Sequence, residues 1–163
     1  PSTTLGWSFG GYWRGFSFNV LFQGSFDYSF AINGTGIESF KSQFQPIHTS
    51  RWTLERYQNG EQIDFPRLTT NPSTINSAST YMSDFWLINA WYIRLKTVDL
   101  GYQLPKKILP KAIDNIRFYV NAYNLLTFTG YDKYQQDPEI KTNTAGDAYM
   151  NQRVVNLGVQ LTF

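Results

Sequence analysis

The stretch from Phe16 to Phe30, FSFNVLFQGSFDYSF, decides the class of fold. Phe16, Phe18, Val20, Phe22, Gly24, Phe26, Tyr28 and Phe30 share one parity, while Ser17, Asn19, Leu21, Gln23, Ser25, Asp27 and Ser29 hold the other. A repeat of two puts alternate side chains on opposite faces, which only a β-strand does. Leu21 is the single apolar residue on the polar side.

Outward from this stretch the same period recurs. Leu5, Trp7, Phe9, Gly11 and Trp13 alternate with small or polar residues, and Arg14-Gly15 is short enough for a hairpin turn. Phe118, Val120 and Ala122 alternate with Arg117, Tyr119, Asn121 and Tyr123; Val155, Leu157, Val159, Leu161 and Phe163 alternate with Asn156, Gly158, Gln160 and Thr162. Trp91, Ile93 and Leu95 form the apolar parity of a further strand, which slips to Val98, Leu100 and Tyr102 after Lys96, by a β-bulge or by one end leaving the apolar environment. The sequence thus predicts an all-β chain of five antiparallel strands, over 3–13, 16–30, 85–103, 116–128 and 154–163. Short connections, Arg14-Gly15 and 105–115, alternate with long ones, 33–84 and 130–152. An up-and-down order therefore gathers the long loops on one side. Within 33–84 a short helix is expected around Ile37–Phe44 and a hairpin at Asn59-Gly60.

Composition narrows the setting. Charged residues make up 16% and aromatic residues 18% of the 163 residues, whereas soluble domains carry about 25% charge. A net charge of +2 leaves no basic excess for nucleic acid. With no cysteine, disulfides and thiolate metal sites are excluded. No apolar run is long enough for a membrane helix, and a targeting segment is expected to be missing from the stretch given. The strand face opposite the aromatics is Ser, Asn, Gln, Gly, Thr and Tyr rather than Lys and Glu. That pattern fits a barrel in lipid: apolar parity outward, neutral polar parity toward a lumen, and Trp7, Trp13, Phe26, Tyr28 and Phe30 near the interfaces. Five strands close no barrel, so a section of a larger one is expected, entered mid-barrel at Pro1. The competing reading is a soluble, aromatic-rich β-sandwich that binds glycans.

Several segments resemble SusC/RagA-type TonB-dependent transporters: Phe85-Trp86-Leu87 with Ala90 to Pro105, Ile116 to Val120 with Asn124 to Tyr131 and Asp137-Pro138-Glu139, Arg51-Trp52-Thr53 with Phe65 to Leu68, and Asn156 to Phe163. The resemblance implies the C-terminal five strands of a transmembrane barrel of ~22 strands, with short periplasmic turns and long extracellular loops, in the bacterial outer membrane. It further implies import of oligosaccharides or peptides, a SusD/RagB-like surface lipoprotein as partner, energy from TonB-ExbB-ExbD through a plug and TonB box outside these residues, insertion by the barrel-assembly machinery, and a coat of outer-membrane lipid. Gln135-Gln136 lengthen one family loop.

No catalytic residue, metal ligand or cofactor is expected. The lumen parity offers Asn19, Gln23, Arg117, Tyr119, Asn121 and Tyr123 as substrate-facing candidates, beside Ser17, Ser25 and Asp27. Val159, Leu161 and Phe163 resemble an assembly signal. His48, Ser50 and Asp64 make a nominal Ser-His-Asp set without a nucleophile elbow, and the better expectation is solvated loop residues. Asp132, Asp137, Glu139 and Asp147 lack calcium-loop spacing, and Asn33-Gly34-Thr35 is a glycosylation sequon of little weight in a bacterium. Lys106, Lys107 and Lys111 are expected simply to solvate the short turn.

Overall fold

A computed structural model describes residues 3–31, 45–68, 83–130, 132–134, 137–140 and 149–163. Its strands are β1 (Thr3–Trp13), β2 (Phe16–Phe26), β3 (Ser29–Ala31), β4 (Leu87–Asn89), β5 (Tyr92–Gln103), β6 (Asn115–Thr129) and β7 (Val154–Thr162), with one short helix, α1 (Leu54–Gln58). The chain divides into a sheet unit, Ser2–Phe26, Tyr92–Phe128 and Asn151–Phe163, and a loop unit built chiefly of Asp27–Trp91 and Thr129–Met150.

The sheet unit is five strands in the order β1-β2-β5-β6-β7. Register keeps the two parities apart across strands. Trp7 faces Phe22, Phe9 faces Val20 and Trp13 faces Phe16, while Thr4 faces Ser25 and Tyr12 faces Ser17. Ile116, Phe118 and Val120 face Leu161, Val159 and Leu157. Between β2 and β5 the register shifts: Leu21 faces Thr97 but Phe22 faces Leu95. Lys96 is therefore the extra residue of a β-bulge, and the bulge returns Val98, Leu100 and Tyr102 to the apolar face. Arg14 and Gly15 both have positive φ (47° and 92°), as a two-residue type I′ hairpin requires.

Two predicted strands are shorter than expected. The run 16–30 stops at Phe26 because Asp27 turns left-handed (φ 53°), and the chain resumes as β3. The run 85–103 breaks into a 3-10 turn at Asp84–Trp86, β4 and β5, since β4 pairs with β3 and β5 with β2. At the break, the Ala90 N–H donates to the Tyr28 carbonyl at 3.0 Å.

The loop unit has a core of its own: Ile47, Phe65, Trp86, Ile88, Ala90 and Tyr134, all buried. Phe65 meets Trp86 edge-to-face at 5.8 Å and His48 at 4.8 Å. Such ring pairs add about 0.5–1.5 kcal/mol beyond their burial. The predicted hairpin at Asn59-Gly60 is instead the end of α1. The Thr53 hydroxyl accepts the Arg56 N–H at the start. At the finish, Gly60 (φ 67°) donates to Tyr57 and Glu61 donates to Arg56 at 3.0 Å, the Schellman closure that a glycine permits. The helix expected at 37–44 lies outside the described residues. Among those described, no helix is long and apolar enough to cross a membrane, which says nothing of strands.

Candidate functional site

The two faces of the sheet differ in chemistry. On the apolar face Phe9, Trp13, Phe16, Phe118, Val159 and Leu157 are exposed, Leu157 at 80%. A patch of this kind spread over four strands exceeds what soluble monomers tolerate, because each Å² left in water forfeits about 25 cal/mol. Lipid is the solvent that suits it.

The opposite face holds a polar network. Arg117 Nη2 donates to Asp99 Oδ1 at 2.7 Å and to Ser17 Oγ at 3.4 Å. With its amide turned so that nitrogen faces the carboxylate, Asn121 donates to Asp99 and, at 3.2 Å, to the Val120 carbonyl. Asp99 stands opposite Asn19 in register, and Asn19 Oδ1 accepts the Ser8 hydroxyl at 3.3 Å. Arg94, only 2% exposed, donates from Nε to Thr127 Oγ1 at 3.0 Å and lies 5.8 Å from the Tyr92 ring centre. Glycines make room for the large members. A β-carbon at Gly101 would come within 2.6 Å of both Arg117 Nε and Ser17 Oγ, and one at Gly158 would run into the Tyr119 ring.

The candidates predicted for the lumen therefore share one face, as parity requires. They are not equally available: Arg117 and Asn121 are committed to Asp99, Tyr119 is laid over Gly158, Gln23 is half-buried opposite Arg94, and Tyr123 is exposed. Asp99 and Arg94 belong to the network too, though neither stood among the candidates. The bulge at Lys96 placed Asp99 on this parity, and that signal was readable. On the other face, Val159, Leu161 and Phe163 form an exposed apolar row, Phe163 at 82%.

The loop residues depart from expectation. His48 is 3% exposed, so it is no solvated residue; its Nδ1 accepts the Gln45 N–H at 2.8 Å. Asp64 takes Gln62 Nε2 at 3.0 Å and Lys133 Nζ at 3.4 Å. Asp137 Oδ1 accepts the Glu139 N–H at 2.9 Å; Asp147, Gln135-Gln136 and Asn33-Gly34-Thr35 lie outside the described residues. Among those described, no group of three or more His, Asp or Glu could hold a metal. A cavity of about 390 Å³ opens in the loop unit between Trp52, Phe65, Phe85, Trp86 and Arg67. Lys106 does more than solvate its turn: Nζ reaches Asp114 Oδ1 at 2.6 Å and the Ile113 and Asp114 carbonyls at 3.2 and 3.3 Å.

A sheet with a bare apolar face and a networked polar face suits a barrel wall, and in sequence and fold the chain resembles SusC/RagA-type TonB-dependent transporters. No family model matches it. It is 26% identical over its whole length to TonB-dependent receptor P3 of Formosa agariphila, of which it spans 16%. The RagAB peptide importer in its closed-closed state matches with a TM-score of 0.63 and 27% identity over 98% of this chain, and the RagAB peptide transporter with 0.61 and 23% over 97%. In both, the match covers 17% of the larger chain. These proteins are transporters and a receptor, not enzymes.

Proposed function

We propose that these residues form part of the wall of an outer-membrane TonB-dependent active transporter for nutrients. The observation that carries the reading is the split of one sheet into an exposed apolar face and a polar face tied by Arg117, Asp99 and Asn121. The wall does no covalent chemistry. Its polar face supplies hydrogen bonds along the path, with Asn19, Gln23, Tyr119 and Tyr123 beside the fixed Arg117–Asp99–Asn121 cluster as the residues that meet substrate or plug, while movement comes from the plug and TonB-ExbB-ExbD. Both long connections leave the sheet from the end marked by Phe26, Tyr92 and Thr129, and we assign that end to the cell exterior. There the loop unit, with its aromatic cavity beside Arg67, is the part that meets a SusD/RagB-like lipoprotein. The RagAB importer's described cargo makes peptides the first substrate class to try, with oligosaccharides second. Val159, Leu161 and Phe163 are assigned to the barrel-assembly machinery.

The test is heat-modifiability of the full-length protein. An outer-membrane barrel stays folded in detergent without heating and migrates faster than its boiled form. A protein monodisperse in plain buffer, with one mobility, would instead be the soluble β-sandwich, whose second sheet would have to cover the face that is bare here.

A further inference from the structure

Five of the ten charged residues of the sheet unit lie in its two short turns. The turns 14–15 and 104–114 carry Arg14, Lys106, Lys107 and Lys111 against Asp114 alone. That is four of the chain's 14 basic residues and one of its 12 acidic ones, so the rest of the chain has one acid more than it has bases. Lys106 is spent on Asp114 at 2.6 Å; Lys107 and Lys111 are exposed, and Ile108 beside them is 65% exposed. Arg14 folds back so that its guanidinium lies 5.0 Å from the ring centre of Trp13, an apolar-face residue. Basic groups are thereby set at the rim of an apolar surface.

The surface next to that rim is hollow. A groove of about 730 Å³ is lined on the apolar face by Phe16, Phe18, Leu100, Tyr102, Phe118 and Leu157. It exists because two rings turn aside: Phe18 leans over Gly11 on β1, so close that a β-carbon there would sit 2.7 Å from its ring, and Phe16 stacks on Tyr102 at 4.4 Å. The groove reaches the Phe16–Tyr102 rung; one step further, Gly15 accepts the Gln103 N–H at 2.8 Å, and a second cavity opens between Arg14 and Lys106.

From this we infer that the short-turn end binds one anionic phospholipid of the adjoining leaflet, an acyl chain in the Phe18–Leu100–Leu157 groove and the headgroup phosphate on Arg14, Lys107 and Lys111. Charge complementarity selects the anionic lipid, and the groove selects a lipid over a free anion. The inference rests on the membrane-spanning reading.

The full-length transporter is placed in nanodiscs of mixed phosphatidylcholine and phosphatidylglycerol, and retained lipid is weighed by native mass spectrometry. Wild type is expected to keep phosphatidylglycerol in preference, and Arg14→Asn, which suits the positive φ, with Lys107→Gln and Lys111→Gln to lose that preference by about fivefold per cation. Val120 also lines the groove, and Val120→Trp, which narrows it, lowers retention of both lipids. Equal retention by wild type, or an unchanged preference in the triple variant, overturns the site. Should the triple variant fail to assemble, wild type decides alone: the preference must fade as salt rises, and a salt-insensitive one overturns the proposal. A protein that inserts without preference refutes the lipid site only; one that does not insert refutes the membrane reading as well.

Discussion

At the scale of single residues, the polar face works because glycine stands where a large side chain must lie flat. Tyr119 over Gly158 is the tightest case. Gly158→Val forces the ring off the strand, and the expected cost is about 1–3 kcal/mol, read as a lower midpoint of heat-modifiability in detergent; adding Tyr119→Ala recovers part of it, whereas an unchanged midpoint in Gly158→Val would remove the flat-ring account. A second residue acts through charge. The Lys106 ammonium beside Asp114 holds its carboxyl below the ordinary value of 3.8. A lowered folded value means the pair stabilises the turn above the ordinary carboxylate pKa and loses that contribution as pH falls through the lowered one. Asp114→Asn is thus expected to be the less stable protein near neutrality and to converge with wild type in acid; parallel curves would show the pair contributes nothing. Parity alone, with the slip at Lys96, put Asp99 on the face of Arg117. The burial of Arg94 and His48 was not legible, since periodicity tells which face a side chain takes but not what lies against it.

The same limit governs elements. The alternation through Asp27 reads as unbroken strand to Phe30, because parity is blind to a φ of 53° at one residue. Asn59-Gly60 is a strong hairpin signal between strands, yet here it follows LERYQ, and glycine's left-handed freedom closes a helix instead. What composition least foretold is that part of a long polar connection owns an aromatic core. Phe65, buried between His48 and Trp86, is its centre. Phe65→Ala removes a large buried side chain, at about 3–5 kcal/mol, enough to open the unit locally. Hydrogen exchange is expected to quicken at the Trp52 and Asp64 amides, which bond to the Phe65 and Ser50 carbonyls, while β2 and β5 amides stay protected. Quickening throughout the sheet would show one cooperative body.

For the whole molecule the question is direction. The five strands of the sheet unit, of 9 to 15 residues, reach the roughly 9–11 residues that a tilted strand needs to cross a bilayer, and β1 and β7 are edges whose backbone groups lipid cannot satisfy. In the full protein both edges therefore need further strands, consistent with a chain that spans only 16–17% of the relatives it matches. Given a wall, its ends are inequivalent: the Phe26, Tyr92 and Thr129 end feeds the long connections, and the other bears Lys107 and Lys111 on a tight basic turn. Because this stretch has no cysteine, each introduced thiol reports one place in it. Tyr57→Cys, at a side chain 67% exposed in the loop unit, should react with a membrane-impermeant maleimide on intact cells, and Lys107→Cys only after the outer membrane is permeabilised. The opposite pattern would invert the orientation and put the basic turn outside; labelling of both on intact cells would mean that this sheet does not separate two compartments.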